Sequence, residues 1–212
     1  MSRFSQWMRS KPDSAKKGPK GWDAKLATLE AEADNAPLGF RGKPLNRAGD
    51  LCLKAGDHAR ALHYYGRAID ALLRDEHPEA ARGVASKIIR IHPRAIRTLY
   101  TLTWLDLAAR HMASALTHLR DYTEAAKRGN QESRAADAIV AMAKVVPEGE
   151  FLNAAGDAIG LLGFDDLADR VHGWAADGGS KNVIEDDVEF TTHCIRAAIG
   201  TNAQKETGDS SA

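Results

Sequence analysis

Apolar residues in this chain recur at three- and four-residue spacings and are interrupted every dozen or so positions by Gly, Asp, Asn or Pro. That period predicts short amphipathic helices. Residues 45–55 put Leu45, Ala48, Gly49 and Cys52 on one side, and residues 58–74 put Ala61, Leu62, Tyr65, Ala68, Ile69 and Leu72 on an inner face. Between them Gly56 acts as a left-handed stop and Asp57 as the cap of the next helix. Pro78 opens a third helix over 79–91, apolar at Ala81, Val84, Ala85, Ile88 and Ile91, and His92-Pro93 ends it. The same grammar predicts helices over 95–109, 112–128 and 133–146, with Gly129-Asn130 as a stop. Two more are predicted over 150–162 and 165–176, with Gly163 between them and Gly178-Gly179 beyond. Helices this short are marginal alone, so stacking must supply their stability.

The flanks differ from this middle. Residues 22–34 carry Leu26, Leu29 and Ala33 in helical spacing and predict a helix capping the first unit, with a linker to residue 44. Residues 186–199 describe a half-apolar helix through Val188, Thr191, Ile195 and Ile199, flanked by Cys194 and Ala198. Its acidic start and Arg196 suit the helix dipole. It is expected to close over the last unit, with a docking peptide for another molecule as the alternative. Residues 1–21 form a basic arm whose stretch 9–21 lacks any large apolar residue to offset ordering entropy. Residues 201–212 are expected to be disordered.

The helical blocks repeat. Residues 45–70 match residues 152–177 without a gap at Leu45/Leu152, Asn46/Asn153, Gly49/Gly156, Asp50/Asp157, Gly56/Gly163, Ala61/Ala168 and four further positions. A middle copy, displaced by 54 residues from the first, pairs Leu51/Leu105, Leu53/Leu107, Ala61/Ala115 and Leu62/Leu116, and superposes the helix ending at Pro93 on that ending at Pro147. A period of a few tens of residues signals stacked units, none of which buries its apolar face alone. The expected fold is all-α, a solenoid of eight repeat helices over 45–177 in three-helix units, the last incomplete, with one flanking helix at each end.

Charge and composition narrow the functions. Lys plus Arg equals Asp plus Glu at 29 each, but residues 1–44 carry a net +4, residues 45–128 +5 and residues 129–212 −9. Ends of opposite sign can orient a partner or favour head-to-tail contacts. Cys52 and Cys194 have no CxxC spacing, so neither a zinc site nor a disulfide framework is suggested, and a cytoplasmic setting is expected. No apolar run approaches a membrane span. Phe4, Trp7 and Met8, at i, i+3 and i+4, share one face of a short helix beside Arg3 and Arg9. That face suits a protein groove or, for a protein peripheral at the membrane, an anionic lipid surface. A disordered terminus is the plain reading, and nucleic acid is disfavoured for want of a motif.

Gly49, Gly56-Asp57, Ala61, Tyr65 and Ala68 in the first copy, Ala115 and Leu119 in the second, and Gly156, Gly163, Ala168 and Ala175 in the third resemble the tetratricopeptide-repeat family, as does the ending KIIRIHP. The general look is of repeat arrays in bacterial proteins. Departures are the third helix in each unit, Leu73 where the closing Pro is expected, and Arg110-His111 in place of Gly-Asp. The resemblance implies a concave surface lined by first helices that holds a peptide or a protein helix. By position its liners are Asn46, Asp50 and Lys54, then Tyr100 and Trp104, then Asn153 and Asp157. The family's best-known groove clamps a terminal carboxylate with Lys and Asn. Here Asp50 and Asp157 oppose a carboxylate and the second copy offers no Lys. Tyr100 and Trp104 are instead expected to anchor an apolar side chain, against the competing reading of Trp104 as core.

Chemistry is sparse. No nucleophile elbow, phosphate loop or metalloprotease motif occurs, and the eight histidines read as solvated polar residues at turns and outer faces. Asp165-Asp166 and Glu185-Asp186-Asp187 suit helix starts. The expected function is a non-catalytic protein–protein interaction scaffold without cofactor, metal or small-molecule substrate, a peripheral or accessory subunit of a larger assembly, membrane complexes included. It docks through the repeat surface and the arm at Phe4, Trp7 and Met8. The alternative is a regulator that binds anionic membrane or nucleic acid through that arm.

Overall fold

The computed structural model describes residues 21–37 and 39–200. These form ten α-helices: α1 (Trp22–Asn35), α2 (Gly42–Lys54), α3 (His58–Arg74), α4 (Pro78–Ile91), α5 (Ile96–Ala108), α6 (Met112–Arg128), α7 (Glu132–Val145), α8 (Gly149–Leu161), α9 (Asp165–Ala176) and α10 (Asp187–Gly200). No strand is present among the described residues, and no helix among them is long and apolar enough to cross a membrane. Among the helix bounds the main departure from the sequence reading lies before the first repeat, where α2 starts at Gly42 and takes Lys43 and Pro44 into its first turn. Pro is tolerated there because its missing N–H has no intrahelical partner in any case.

Each helix from α1 to α9 packs on its chain neighbours, with α1 on α2 and the three units following in solenoid order. The turns are built alike. After α2, Gly56 N–H donates to Leu53 O at 3.0 Å and Asp57 N–H to Cys52 O at 2.9 Å. After α5, Arg110 N–H donates to Leu107 O at 3.0 Å and His111 N–H to Asp106 O at 2.8 Å. This closing pair needs a left-handed residue, supplied by Gly56 (φ 78°) and Gly163 (φ 89°) in the outer copies. In the middle copy Arg110 takes the same turn at φ 55°, and after α6 it is Asn130, rather than Gly129, at φ 51°. Asp57 caps α3 through Oδ1, which accepts from Arg60 N–H at 2.9 Å. The amide and guanidinium of Arg60 together hold the Asp57 carboxyl below its usual range.

The small residues do the work their spacing implies. A Cβ on Gly49 would stand 2.5 Å from two ring carbons of Tyr65, so the bare glycine is what lets the α3 ring lie flat on α2. In the third copy Gly156 of α8 accommodates the His172 ring of α9 in the same way, with a Cβ at 2.6 Å. On α3, Tyr64 and Leu73 are buried, whereas Leu62 and Leu72, expected inside, are half-buried.

The centre of the molecule is α5, buried at Thr98 and Leu99 and at every position from Thr101 to Leu107. A helix closed on all sides needs cover on all sides. Part of that cover is α10, which corrects the expectation of a cap over the last unit. It turns back past α8 and α9 and packs on α5, touching α3. Its buried stripe is also different: Phe190, Cys194 and Ala198 face inward while Val188 is 75% exposed. Phe190 supplies the large apolar anchor that the stripe beginning at Val188 lacks.

Candidate functional site

Three stations along the first helices of the units correspond to the liners expected from the repeat, and each has a different fate. At the first, on α2, Asp50 Oδ1 accepts from Tyr65 Oη at 2.6 Å and from Lys87 Nζ at 2.7 Å, and Lys87 also donates to Asn46 Oδ1 at 2.9 Å. Burial alone would raise the Asp50 carboxyl; hydrogen bonds from Lys87 and Tyr65 and the Lys87 charge outweigh it and bring the group below its usual range. Asn46 and Asp50 are therefore occupied within the chain. Lys87 comes from α4, the inserted third helix, so sequence carry-over between first helices could not find it. Lys54 remains exposed at the edge of a cleft of about 400 Å³ between α1 and α2, with Lys25, Glu32, Arg47 and Asp50 around it.

At the third station Asn153 and Asp157 of α8 are exposed. Asp157 Oδ1 stands 3.4 Å from His172 Nε2, the counterpart of the Tyr65–Asp50 bond but looser. Beside it lies an open depression of about 550 Å³ lined by Gly156, Gly160, Asp165, Asp169 and the 63%-exposed Leu161.

The middle station is covered. Trp104 is 1% exposed, so its expected role as an open contact is corrected: it lies under α10, its ring 5.8 Å from that of His193. Tyr100, half-buried, packs edge-on against Trp104 at 6.4 Å, and its hydroxyl donates to Ala197 O at 3.4 Å. Burial pushes the Tyr100 hydroxyl above its usual range; the Trp104 indole N–H, which leans on it without closing a hydrogen bond, pulls the other way. Further along, Thr191 Oγ1 donates to Ala108 O at 3.4 Å. Arg110 reaches Asp187 at 2.7 Å and Glu148 at 2.8 Å, with its guanidinium 4.0 Å over the Phe190 ring. The order of these pairs, 100 with 197, 104 with 193, 108 with 191 and 110 with 187, sets α10 antiparallel to α5. Tyr100 and Trp104 thus pack against a helix of the same chain.

One buried ionic cluster escaped sequence reasoning. Asp106 of α5 is fully buried and accepts from Arg82 Nε of α4 at 2.6 Å, with His118 Nδ1 of α6 at 2.6 Å from its other oxygen. One carboxylate so ties three helices together, which corrects the reading of His118 as solvated. The signal was in the repeat: Asp106 falls in the column of Cys52 and Ile159, both buried, so a carboxylate there must be partnered. Cys52 and Cys194 are both buried free thiols, in α2 and α10, and burial pushes the Cys194 thiol up to about 12. Among the described residues no group of three or more His, Cys, Asp or Glu side chains is placed to hold a metal ion. Phe4, Trp7 and Met8 lie outside the described residues. Compared with family models, curated proteins and solved structures, the chain matches none of them.

Proposed function

We propose that this chain is a non-catalytic interaction scaffold of the tetratricopeptide-repeat kind, an accessory subunit of a larger assembly. Its repeat surface binds partner protein and its N-terminal arm, with Phe4, Trp7 and Met8, provides a second attachment. One observation carries the reading: the aromatic pair Tyr100 and Trp104, at the groove positions of the middle copy, has a helix lying along it. A groove that seats one helix has the width and apolar floor that helix recognition needs. The third station, with Asn153 and Asp157 exposed, and Lys54 at the first extend that surface with polar side chains suited to specificity.

Affinity capture with the full chain, compared with a chain lacking residues 1–20 and with Asp157→Lys, tests this reading. The expected result is a reproducible protein partner whose recovery falls in both variants while Glu124→Lys, on the exposed face of α6, leaves it unchanged. Recovery indifferent to both changes overturns it.

A further inference from the structure

The seam between α5 and α10 is filled but poorly bonded. The Trp104 indole N–H, in a side chain 1% exposed, has no hydrogen-bond partner. The Tyr100 to Ala197 and Thr191 to Ala108 bonds are both long, at 3.4 Å. The N–H leans on the Tyr100 hydroxyl without closing a hydrogen bond, so its desolvation penalty is only partly compensated. The short contact, Arg110 to Asp187 at 2.7 Å, lies at the edge where Asp187 is 85% exposed, and salt screens such pairs. The helix stands outside the repeat and is joined to α9 through residues 177–186, which include Gly178 and Gly179 at positive φ. These features describe an occupant held by tethering and apolar packing rather than by matched polar contacts.

We propose that the face of α5 beneath α10 is a docking site for an α-helix of a partner protein, with α10 its resident and displaceable occupant. The proposal rests on the scaffold reading and defines the ligand class. The partner helix runs antiparallel to α5 and carries an aromatic residue followed at i+4 and i+8 by small side chains, as in Phe190, Cys194 and Ala198. It has an acidic residue in its first turn for Arg110. It also offers a hydrogen-bond acceptor to Trp104 Nε1, which α10 does not. The tether gives α10 a high effective concentration, so a competitor must bind the same face better, and the unpaired indole is where a better fit is available.

The test uses the full chain and a fluorescent peptide of residues 185–199, read by anisotropy. Ala198→Glu in the chain introduces a carboxylate at a 1%-exposed position of α10 and is expected to raise affinity for the native peptide at least tenfold, with the oligomeric state of the chain unchanged from the parent. Asp187→Lys, at an exposed position, is expected to raise it about threefold, the scale of one exposed ion pair. Peptides with His193→Asn or Cys194→Ser put an amide or hydroxyl oxygen in place of the imidazole or thiol in the turn beside Trp104, and one or other binds about fivefold tighter than the native sequence, the worth of one neutral hydrogen bond. Affinity unchanged by both chain variants overturns the proposal. So does a lost cooperative melt in Ala198→Glu with no gain in Asp187→Lys, which makes α10 a fixed part of the core. Dimers formed on release of α10 overturn it in favour of exchange between copies. Partner capture that survives with peptide displacement absent rejects the seam alone; capture indifferent to residues 1–20 and Asp157 rejects the scaffold.

Discussion

Gly49 and Gly156 occupy the same position of the repeat and the same place in a helix, yet substituting alanine at each should have very unequal consequences. Helix propensity alone favours both changes by about 1 kcal/mol. At Gly49 the new methyl would stand 2.5 Å from Cδ1 and Cε1 of Tyr65, in the body of a rigid and fully buried ring. The ring must move by about 1 Å to reach ordinary contact, and its hydroxyl then leaves Asp50 at the end of a 2.6 Å bond. Overpacking costs about 1–3 kcal/mol and a hydrogen bond to a charged group about 1.5–3. After the propensity gain, Gly49→Ala should destabilise by about 1.5–5 kcal/mol. At Gly156 the obstacle is the His172 ring at 2.6 Å, about a third exposed and only 3.4 Å from a largely exposed Asp157. That ring can swing outward, so Gly156→Ala should fall within about 1 kcal/mol of the parent. Equilibrium urea unfolding with linear extrapolation measures both. The middle copy suggests the rescue, since there Thr103 and Leu119 stand where Gly49 and Tyr65 stand in the first. Tyr65→Leu should therefore recover part of the Gly49→Ala loss in a double-mutant cycle. Equal stabilities for the two alanine variants, or a cycle without coupling, would refute the reasoning.

Further outcomes follow from the same geometry. Asp106→Ala should destabilise by about 3–5 kcal/mol, because Arg82 and His118 lose the carboxylate between them, and thermal and urea unfolding both report it. Asp50 has a lowered pKa in the fold, so its contribution is fully present above the unfolded carboxyl pKa near 4 and is lost as pH falls through the folded value. The difference in melting temperature between the parent and Asp50→Asn should accordingly be largest near neutrality and shrink below about pH 4. Arg110→Gly should leave global stability within about 1 kcal/mol, because relief of the left-handed backbone offsets the lost exposed ion pairs. In a Cys52→Ser background the same change should speed labelling of the buried Cys194 thiol by a disulfide reagent; an unchanged rate would show that Arg110 does not fasten α10.

Much of this fold is legible because its repeat is written in small residues. Gly49, Gly56, Ala61 and Ala68 recur in the third copy as Gly156, Gly163, Ala168 and Ala175, and close helix approach and left-handed turns follow from them directly. What period alone could not place is whatever depends on a helix meeting one outside its own helix pair. Lys87 reaches back from α4 to Asn46 and Asp50, and Asp106 joins helices from two units, so neither pairing leaves a mark at any fixed spacing. The return of α10 to α5 is the largest such case, and two local anomalies pointed to it. Residues 96–108 carry only Arg97 and Asp106 as charged side chains, so no face of this helix is polar enough to be left open and one had to be covered by something beyond the adjacent helices. Arg110 stands in a left-handed turn where Gly56 and Gly163 are free of strain, and a residue tolerated against backbone preference has a task for its side chain. That task is the bridge from Glu148 to Asp187 across the Phe190 ring. The middle copy departs from the repeat at Tyr100, Trp104 and Arg110 together, and all three departures face α10. The irregular unit of the array is therefore the one shaped to hold a helix, whereas the two regular ones hold their polar groups to themselves or to solvent.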